Sequence, residues 1–474
     1  MDYLRKPWVH QFEGINRAVK ERGFGFFFDV GTGKSATLVN TLRHKYMDAQ
    51  RVKRTLILCP PVVCPNWVNE FKINSRIPEK LMTVLDGTGK HREKAVRETG
   101  KDIPIFITNY ESLLMKGLFE ALMEWQPEIL VLDESHKCKD IKSKRTKAAI
   151  QIADQADFVY LLTGTPFLNN YMDYFSQFRI MDGGETFGKN FFAFRNRYFV
   201  NKNANAPAHV KWAKWEIGPG AKEEMDELIA EKSMYVSKDE ALDLPPLVKT
   251  TIEVGLSKAQ QKVYDDMKRD FIAFVEDEAC VAELAVTKAL RLQQIASGFI
   301  PVKGESNIQK NVRFKENPRA VALKQLLEDL VPSHKVIIWA VFKENYESIR
   351  EVCDSLKLKY AEVNGEVSAK NKAININLFN NSKDVNVFIG HPASAGIGIN
   401  LIASDCMIFY SRNFSLENDI QAEARCYRGG SEIHKKVTRF DLISPGTIDE
   451  IVSESLAQKK KIGFEGLRKM AYNV

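Results

Sequence analysis

The chain has no run near the ~20 consecutive apolar residues that a membrane-spanning helix requires. Its first residues, Met1-Asp2-Tyr3-Leu4-Arg5-Lys6, lead into patterned sequence without the apolar core of a secretory signal. A cytoplasmic, nucleoid-associated location is expected, or a nuclear one in a eukaryote, with no membrane as partner. Paired cysteines are also missing. The seven are odd in number and scattered, and the nearest two, Cys59 and Cys64, lie in a proline-rich turn with no second pair to complete a zinc site. All seven are read as reduced thiols. Neither charge dominates, since +7 over 474 residues permits a nucleic-acid partner without requiring one. Short-period repeats and low-complexity linkers are absent as well.

What is present is an ordinary globular composition, 44% apolar and 27% charged, on a chain too long for a single core. Two or three domains follow. Strand-like apolar runs at 55–58, 105–108, 129–133 and 158–163 alternate with helix-like stretches, the pattern of a parallel α/β sheet. A second alternating set occupies 335–340, 385–390, 406–410 and 437–443. Between the sets comes an aromatic, helix-like stretch with Phe187, Phe191, Phe192, Phe194, Tyr198, Phe199, Trp212 and Trp215. It reads as an insertion or helical subdomain whose rings either build a core or stack on bases. Pro245-Pro246 then marks a connector, and helical sequence runs from 257 to about 297.

The most informative residues are Asp29-Val30-Gly31-Thr32-Gly33-Lys34-Ser35, between an apolar strand at 24–28 and a helix beginning near Ser35. A glycine-rich turn of this kind aims several backbone N–H groups at one anion. The lysine reaches the outer phosphates, and the hydroxyl can sit on Mg²⁺. A nucleoside triphosphate is the expected ligand. The loop is a variant form, because Phe28 stands where the usual pattern has a glycine. A second element, Ile129-Leu130-Val131-Leu132-Asp133-Glu134-Ser135-His136, places two acids at the end of a buried strand. Asp133 can hold Mg²⁺ and Glu134 can take the proton of an attacking water, the division of labour that phosphoryl transfer to water needs. Just beyond lies the densest basic run, Lys137, Lys139, Lys142, Lys144, Arg145 and Lys147, either a phosphate-backbone contact or a solvated face. Lys459-Lys460-Lys461 is a smaller cluster of the same kind.

Further elements follow in order: Trp8, His10 and Gln11 near the start, 55–67 ending in Trp67, Thr108-Asn109-Tyr110-Glu111, and 162–169 with Thr163 and Thr165. The second half adds Ala395-Gly396-Ile397-Gly398-Ile399-Asn400-Leu401, then Gln421-Ala422-Glu423-Ala424-Arg425-Cys426-Tyr427-Arg428, and finally Thr447-Ile448-Asp449-Glu450. Together with the phosphate loop and the acid pair, this series resembles the motor core of superfamily-two helicases and translocases, and most closely its Swi/Snf branch, over nearly the whole chain. The resemblance implies ATP and Mg²⁺ as cofactors, with Gln11 on adenine and Gly31, Thr32, Gly33, Lys34, Ser35 and Gly398 around the nucleotide. It places Ser35 and Asp133 on the metal, and makes Lys34, Glu134, Arg425 and Arg428 catalytic. Trp67, Thr108, Asn109, Thr163, Thr165 and Asn400 fall to coupling and to the nucleic-acid track. Arg425 and Arg428 are predicted to lie three apart on one helix face, as arginine fingers worth roughly 10³–10⁵ in rate. The sequence departs from the family's pattern at His391-Pro392-Ala393-Ser394 and at Gly429-Gly430-Ser431.

The fold class implied is α/β, two RecA-like parallel-sheet lobes with helical insertions between them, meeting across a cleft. The expected domains are an ATP-binding lobe at 1–180, a helical insertion and connector at 181–255, a helical insertion of the second lobe at 256–305, and that lobe with a C-terminal brace helix at 306–474. The expected function is an ATP-dependent translocase on double-stranded DNA, acting as a monomer with a protein partner to choose its target. A strand-separating DNA or RNA helicase shares every phosphate residue named. A clamp that has lost hydrolysis is disfavoured by the intact Lys34, Asp133, Glu134, Arg425 and Arg428.

Overall fold

The computed structural model describes residues 2–61, 63–164, 166, 170–203, 215–276, 282–303, 309–395 and 399–458. The chain divides into two compact units, Met1–Leu242 and Asp243–Lys460.

The first unit begins with helix α1 (Val9–Ala18), strand β1 (Gly23–Phe28), helix α2 (Lys34–Asp48), strand β2 (Thr55–Leu58) and helix α3 (Cys64–Asn74). It continues with strands β3 (Met82–Val84), β4 (Ile105–Thr108), β5 (Ile129–Asp133), β6 (Phe158–Leu162), β7 (Phe199–Asn201), β8 (Trp215–Ile217) and β9 (Ser233–Val236). Seven of these form one sheet in the order β3-β4-β2-β5-β6-β1-β9. Every pairing in it is parallel. A parallel sheet is covered on both faces, so its inner strands must be apolar throughout. β1, β2, β4 and β5 are buried at every position. Period-two alternation sends Phe27 to one core and Phe24, Phe26 and Phe28 to the other.

Phe187, Phe194, Tyr198 and Phe199 are buried in the same core as Phe27, so these rings build the first unit's interior. Among the described aromatics of the stretch, Phe192 is the exposed one. The region read as helical at 181–255 in fact carries four strands. β7 and β8 pair antiparallel as a small ribbon, and β9 completes the large sheet beside β1. The fourth, β10 (Leu247–Glu253), belongs to the second unit. Runs of three or four residues give a period too little length to show, and β10 shows weak alternation because it is half exposed along an edge.

The second unit adds an antiparallel ribbon, β11 (Phe299–Lys303) with β12 (Gln309–Arg313). Its remaining strands are β13 (Val336–Trp339), β14 (Lys359–Val363), β15 (Val385–Gly390), β16 (Cys406–Phe409) and β17 (Val437–Ile443). The sheet order is β10-β17-β16-β13-β15-β14, parallel throughout. The helices Lys258–Glu276 and Ala282–Ala296 meet a helix over 448–458 in a separate small core of Tyr264, Leu292, Ile295, Leu416, Ile448, Val452 and Leu456. Tyr264 Oη accepts the Ile448 N–H at 2.7 Å, and Arg319 pairs with Asp449, fixing that helix to its unit. No described helix is long and apolar enough to cross a membrane.

Candidate functional site

β1 ends at Phe28 and α2 begins at Lys34, so the five residues between must turn tightly. Gly31 and Gly33 supply the turn with φ of 93° and 83°, a region side chains resist. A Cβ on Gly33 would also stand 2.0 Å from Gln11 Nε2. The loop is held open from outside. The Thr32 carbonyl accepts from Gln11 Nε2 at 3.3 Å and lies 2.9 Å from His10 Nε2, while Thr32 Oγ1 donates to Asp29 O at 2.7 Å. Asp29 is anchored in turn by the Lys238 N–H at 3.1 Å. Lys34 Nζ folds back to donate to Phe28 O at 2.7 Å and Asp29 O at 3.2 Å, carbonyls that a phosphate would replace as its partner. Ser35 is half-buried in the first turn of α2, where the helix dipole favours an anion.

Gln11 is buried, and its amide is used by the chain: Oε1 accepts the Trp8 N–H at 3.0 Å while Nε2 bonds Thr32. In this state Gln11 latches α1 to the phosphate loop and presents no free edge for a base. A cavity of about 720 Å³ opens beside it, between Trp8, His10, Glu13 and Arg17 of the α1 region and Ser233 to Val236 of β9. His10 touches both cavity and loop, a link the sequence reading did not assign.

At the end of β5, Asp133 is buried and Glu134 turns the chain. Burial and the adjacent Glu134 push the Asp133 carboxyl up to about 7, against the pull of Lys34 and the hydrogen bond from Trp67. A carboxylate so crowded gains from a cation. The Asp133 carboxylate and the half-buried Ser35 hydroxyl are hard oxygen donors, the chemistry that would suit Mg²⁺. Glu134 adopts φ 56°, rare for a residue with a side chain and a mark of functional sites. Its Oε2 lies 3.4 Å from both Thr163 Oγ1 and His136 Nδ1, and those two atoms are 3.0 Å apart. Glu134, His136 and Thr163 thus link the ends of β5 and β6. His136 was quoted in the sequence motif but given no role.

Trp67 is 1% exposed, and its indole N–H donates to Asp133 Oδ2 at 3.0 Å, while Tyr110 Oη donates to Asp133 O at 2.7 Å. Thr108 is fully buried and bonds Ser112 at 2.8 Å, and Asn109 caps the short helix Tyr110–Leu114 through the Ser112 N–H. Trp67 and Thr163 therefore back the acid pair from inside, and Trp67, Thr108 and Thr163 are all buried. Thr165 lies outside the described residues, as do Gly396 and Gly398.

In the second unit, Arg425 and Arg428 depart from the expected helix. The helix Leu416–Glu423 ends before them. The Arg425 N–H bonds Ala422 O, a tighter turn than the α-helix, and the Arg425 carbonyl accepts the Leu401 N–H at 2.9 Å, tying this turn to the distant Leu401. The chain then turns through Gly430 at φ 103°. Arg425 is buried with Nη1 3.5 Å from Ile399 O, whereas Arg428 is half-buried. Asn400 is exposed beside this turn, bonded to Asn380 through its carbonyl.

Two all-parallel sheets, one with a phosphate-type loop and an acid pair at its carboxyl edge, define a RecA-like nucleotide-handling α/β class. The SNF2-related domain family matches residues 19–297, and the helicase conserved C-terminal domain matches 319–430. The chain belongs to the SNF2-related family. It is 26% identical over 471 residues to an uncharacterized ATP-dependent helicase of Mycoplasma genitalium, covering 97% of this chain and 42% of that protein. It is 24% identical to the lymphoid-specific helicase of Homo sapiens, covering 98% of this chain and 61% of the relative. Protein p41 of Acyrthosiphon pisum secondary endosymbiont phage 1 is 25% identical, with 97% of each covered. The chain thus spans less than two thirds of the mycoplasma and human relatives. The Sulfolobus solfataricus SWI2/SNF2 ATPase core in complex with dsDNA is 21% identical, at a TM-score of 0.45 and coverage of 99% of this chain and 96% of that one.

Proposed function

We propose that this protein is a DNA-stimulated ATPase that uses Mg²⁺-ATP to move along duplex DNA. The observation carrying the reading is the preformed phosphate loop beside Asp133 and Glu134, on the carboxyl edge of one parallel sheet, where such sheets bind ligands. Lys34 would exchange its two backbone carbonyls for the outer phosphates. Ser35 and Asp133 would hold Mg²⁺, which neutralises phosphate charge when bound. Glu134 would take a proton from water, oriented by Thr163 and His136 at 3.4 Å. The cavity beside His10 offers room for the base, with Trp8 as a wall.

Arg425 and Arg428 are the proposed transition-state arginines, acting when the second unit closes on the bound nucleotide. The bonds of Arg425 to the Leu401 and Ile399 backbone support its part in that role. Thr163 on Glu134 and Trp67 on Asp133 would pass the state of the acid pair to the neighbouring elements, with Thr108 and Asn109 the further coupling candidates. Exposed Asn400 and the lysines after Glu134 are the candidates for touching the track. The mycoplasma and human relatives carry helicase names, and the reading adopts movement on an intact duplex over strand separation. Triplex displacement run beside unwinding of a forked duplex tests this: displacement without unwinding is expected, and robust unwinding without displacement would assign the chain to strand separation.

A further inference from the structure

Cys59 follows the last residue of β2 and Cys64 opens α3, and the turn between them brings their sulfurs to 3.4 Å. That is closer than two sulfurs usually rest and about 1.4 Å longer than a disulfide bond. Both residues are buried, Cys59 completely and Cys64 to 4% exposure, and neither has a part in the nucleotide chemistry proposed above. Three residues beyond Cys64 on the same helix, Trp67 donates the hydrogen bond that steadies Asp133. The S–H of Cys59 holds the Cys64 thiol below its ordinary value, with burial working against it.

We propose that Cys59 and Cys64 form an oxidation site, at which a hydroperoxide closes an intramolecular disulfide that moves the start of α3 and loosens Trp67 from Asp133. The Cys64 thiolate attacks the distal peroxide oxygen, the O–O bond breaks, and Cys64 becomes a sulfenic acid as hydroxide leaves and takes a proton. The Cys59 sulfur then attacks the sulfenic sulfur, expelling water. In balance, two thiols and one hydrogen peroxide give one disulfide and two waters. Closing a ring across so short a segment favours ready reduction, which suits a reversible signal. The effect on turnover rests on the nucleotide reading above, whereas the disulfide does not.

The test treats the whole protein with hydrogen peroxide, alkylates it after unfolding, and examines tryptic peptide 55–72, which contains both cysteines between Arg54 and Lys72. The peptide should lose two hydrogens and refuse alkylation, and dithiothreitol should reverse this. ATP hydrolysis should fall about tenfold, the order expected for losing one hydrogen bond to a charged group. Cys59→Ala and Cys64→Ala should each keep the basal rate and ignore peroxide, and either variant alone suffices if the other fails to fold. A doubly alkylated peptide after peroxide overturns the oxidation site. A formed disulfide with unchanged turnover overturns the coupling through α3. Absence of hydrolysis in the reduced protein would sink the nucleotide reading instead, with the peptide mass still deciding the disulfide.

Discussion

Thr32 is held by three side-chain contacts, two of them from α1, and by its own N–H on Asp29 O. A loop fixed in this way need not be ordered when phosphate binds, so affinity is not lost to conformational entropy. At the residue scale the acid pair separates two tasks, and substitution separates them too. Lys34→Ala should abolish hydrolysis and weaken nucleotide binding together, because the cation that meets the outer phosphates is gone. Glu134→Gln should bind ATP nearly as the parent does while turnover falls by roughly 10²–10⁴, since only the proton acceptor is lost. Equilibrium binding of a fluorescent ATP analogue beside steady-state hydrolysis distinguishes them, and near-normal turnover in Glu134→Gln would remove Glu134 as the base. The tight turn at Gly33 and Lys34 and the place of Asp133 and Glu134 at a strand's end were legible in the sequence, because a glycine turn after an apolar run and acids closing a buried run are local patterns. The roles of His10 and His136 were not, because each depends on a partner more than twenty residues away in the chain.

At the scale of elements, two charged clusters hold strands and helices in place. Glu128, just before β5, pairs with Arg51 at 2.6 Å and Lys53 at 3.3 Å and accepts the Arg54 N–H at 3.0 Å, tying the start of β5 to that of β2. Burial pushes this carboxyl up, but Arg51, the Arg54 N–H and Lys53 outweigh it and hold it at about 2. A depressed folded-state pKa gives stability that is complete above the unfolded value of about 4.3 and disappears as pH falls toward about 2. Glu128→Gln should therefore lower stability by about 1 kcal/mol at neutral pH, the upper end for a partly exposed pair. Urea unfolding as a function of pH should show parent and variant converging between about pH 4 and pH 2. A constant gap across that range would contradict the assignment.

The second cluster centres on Arg439 of β17, 2% exposed and bonded at 2.9 Å to Asp419, Glu423 and Asp441, with Arg412 also on Asp419. Burial works to raise the Asp419 carboxyl, and the two arginines prevail and lower it. This network seats the helix Leu416–Glu423, and so the turn that carries Arg425 and Arg428. Arg439→Ala leaves three acids without their shared cation and should destabilise the second unit by about 3–5 kcal/mol. A loss under about 1 kcal/mol in its urea transition would show the network to be dispensable. The long inner strands of both sheets were legible as unbroken apolar runs. The edge strands β10 and β14, half exposed and interrupted by charge, were not, nor was the end of the helix at Glu423, after which the turn bonds to the distant Leu401.

On the scale of the whole molecule, the proposed function divides one reaction between two parallel sheets, giving the phosphate loop and acid pair of the first unit and Arg425 and Arg428 of the second separate tasks. A motor needs hydrolysis to depend on a conformational event, and arginines supplied from another unit make it so. Arg425→Ala and Arg428→Ala should each retain ATP and DNA binding and lose the DNA-stimulated part of kcat by roughly 10³-fold. Undiminished stimulation in both variants would take the second unit out of the active site. The presence of two parallel sheets was legible in the two sets of apolar runs. The duplex as track rests on family membership, and it is the claim most worth measuring. ATP hydrolysis should be followed in parallel with duplex DNA, single-stranded DNA, RNA and no nucleic acid. Duplex DNA is predicted to stimulate hydrolysis most strongly, with little from RNA, and a rate that no nucleic acid changes would contradict the motor reading outright.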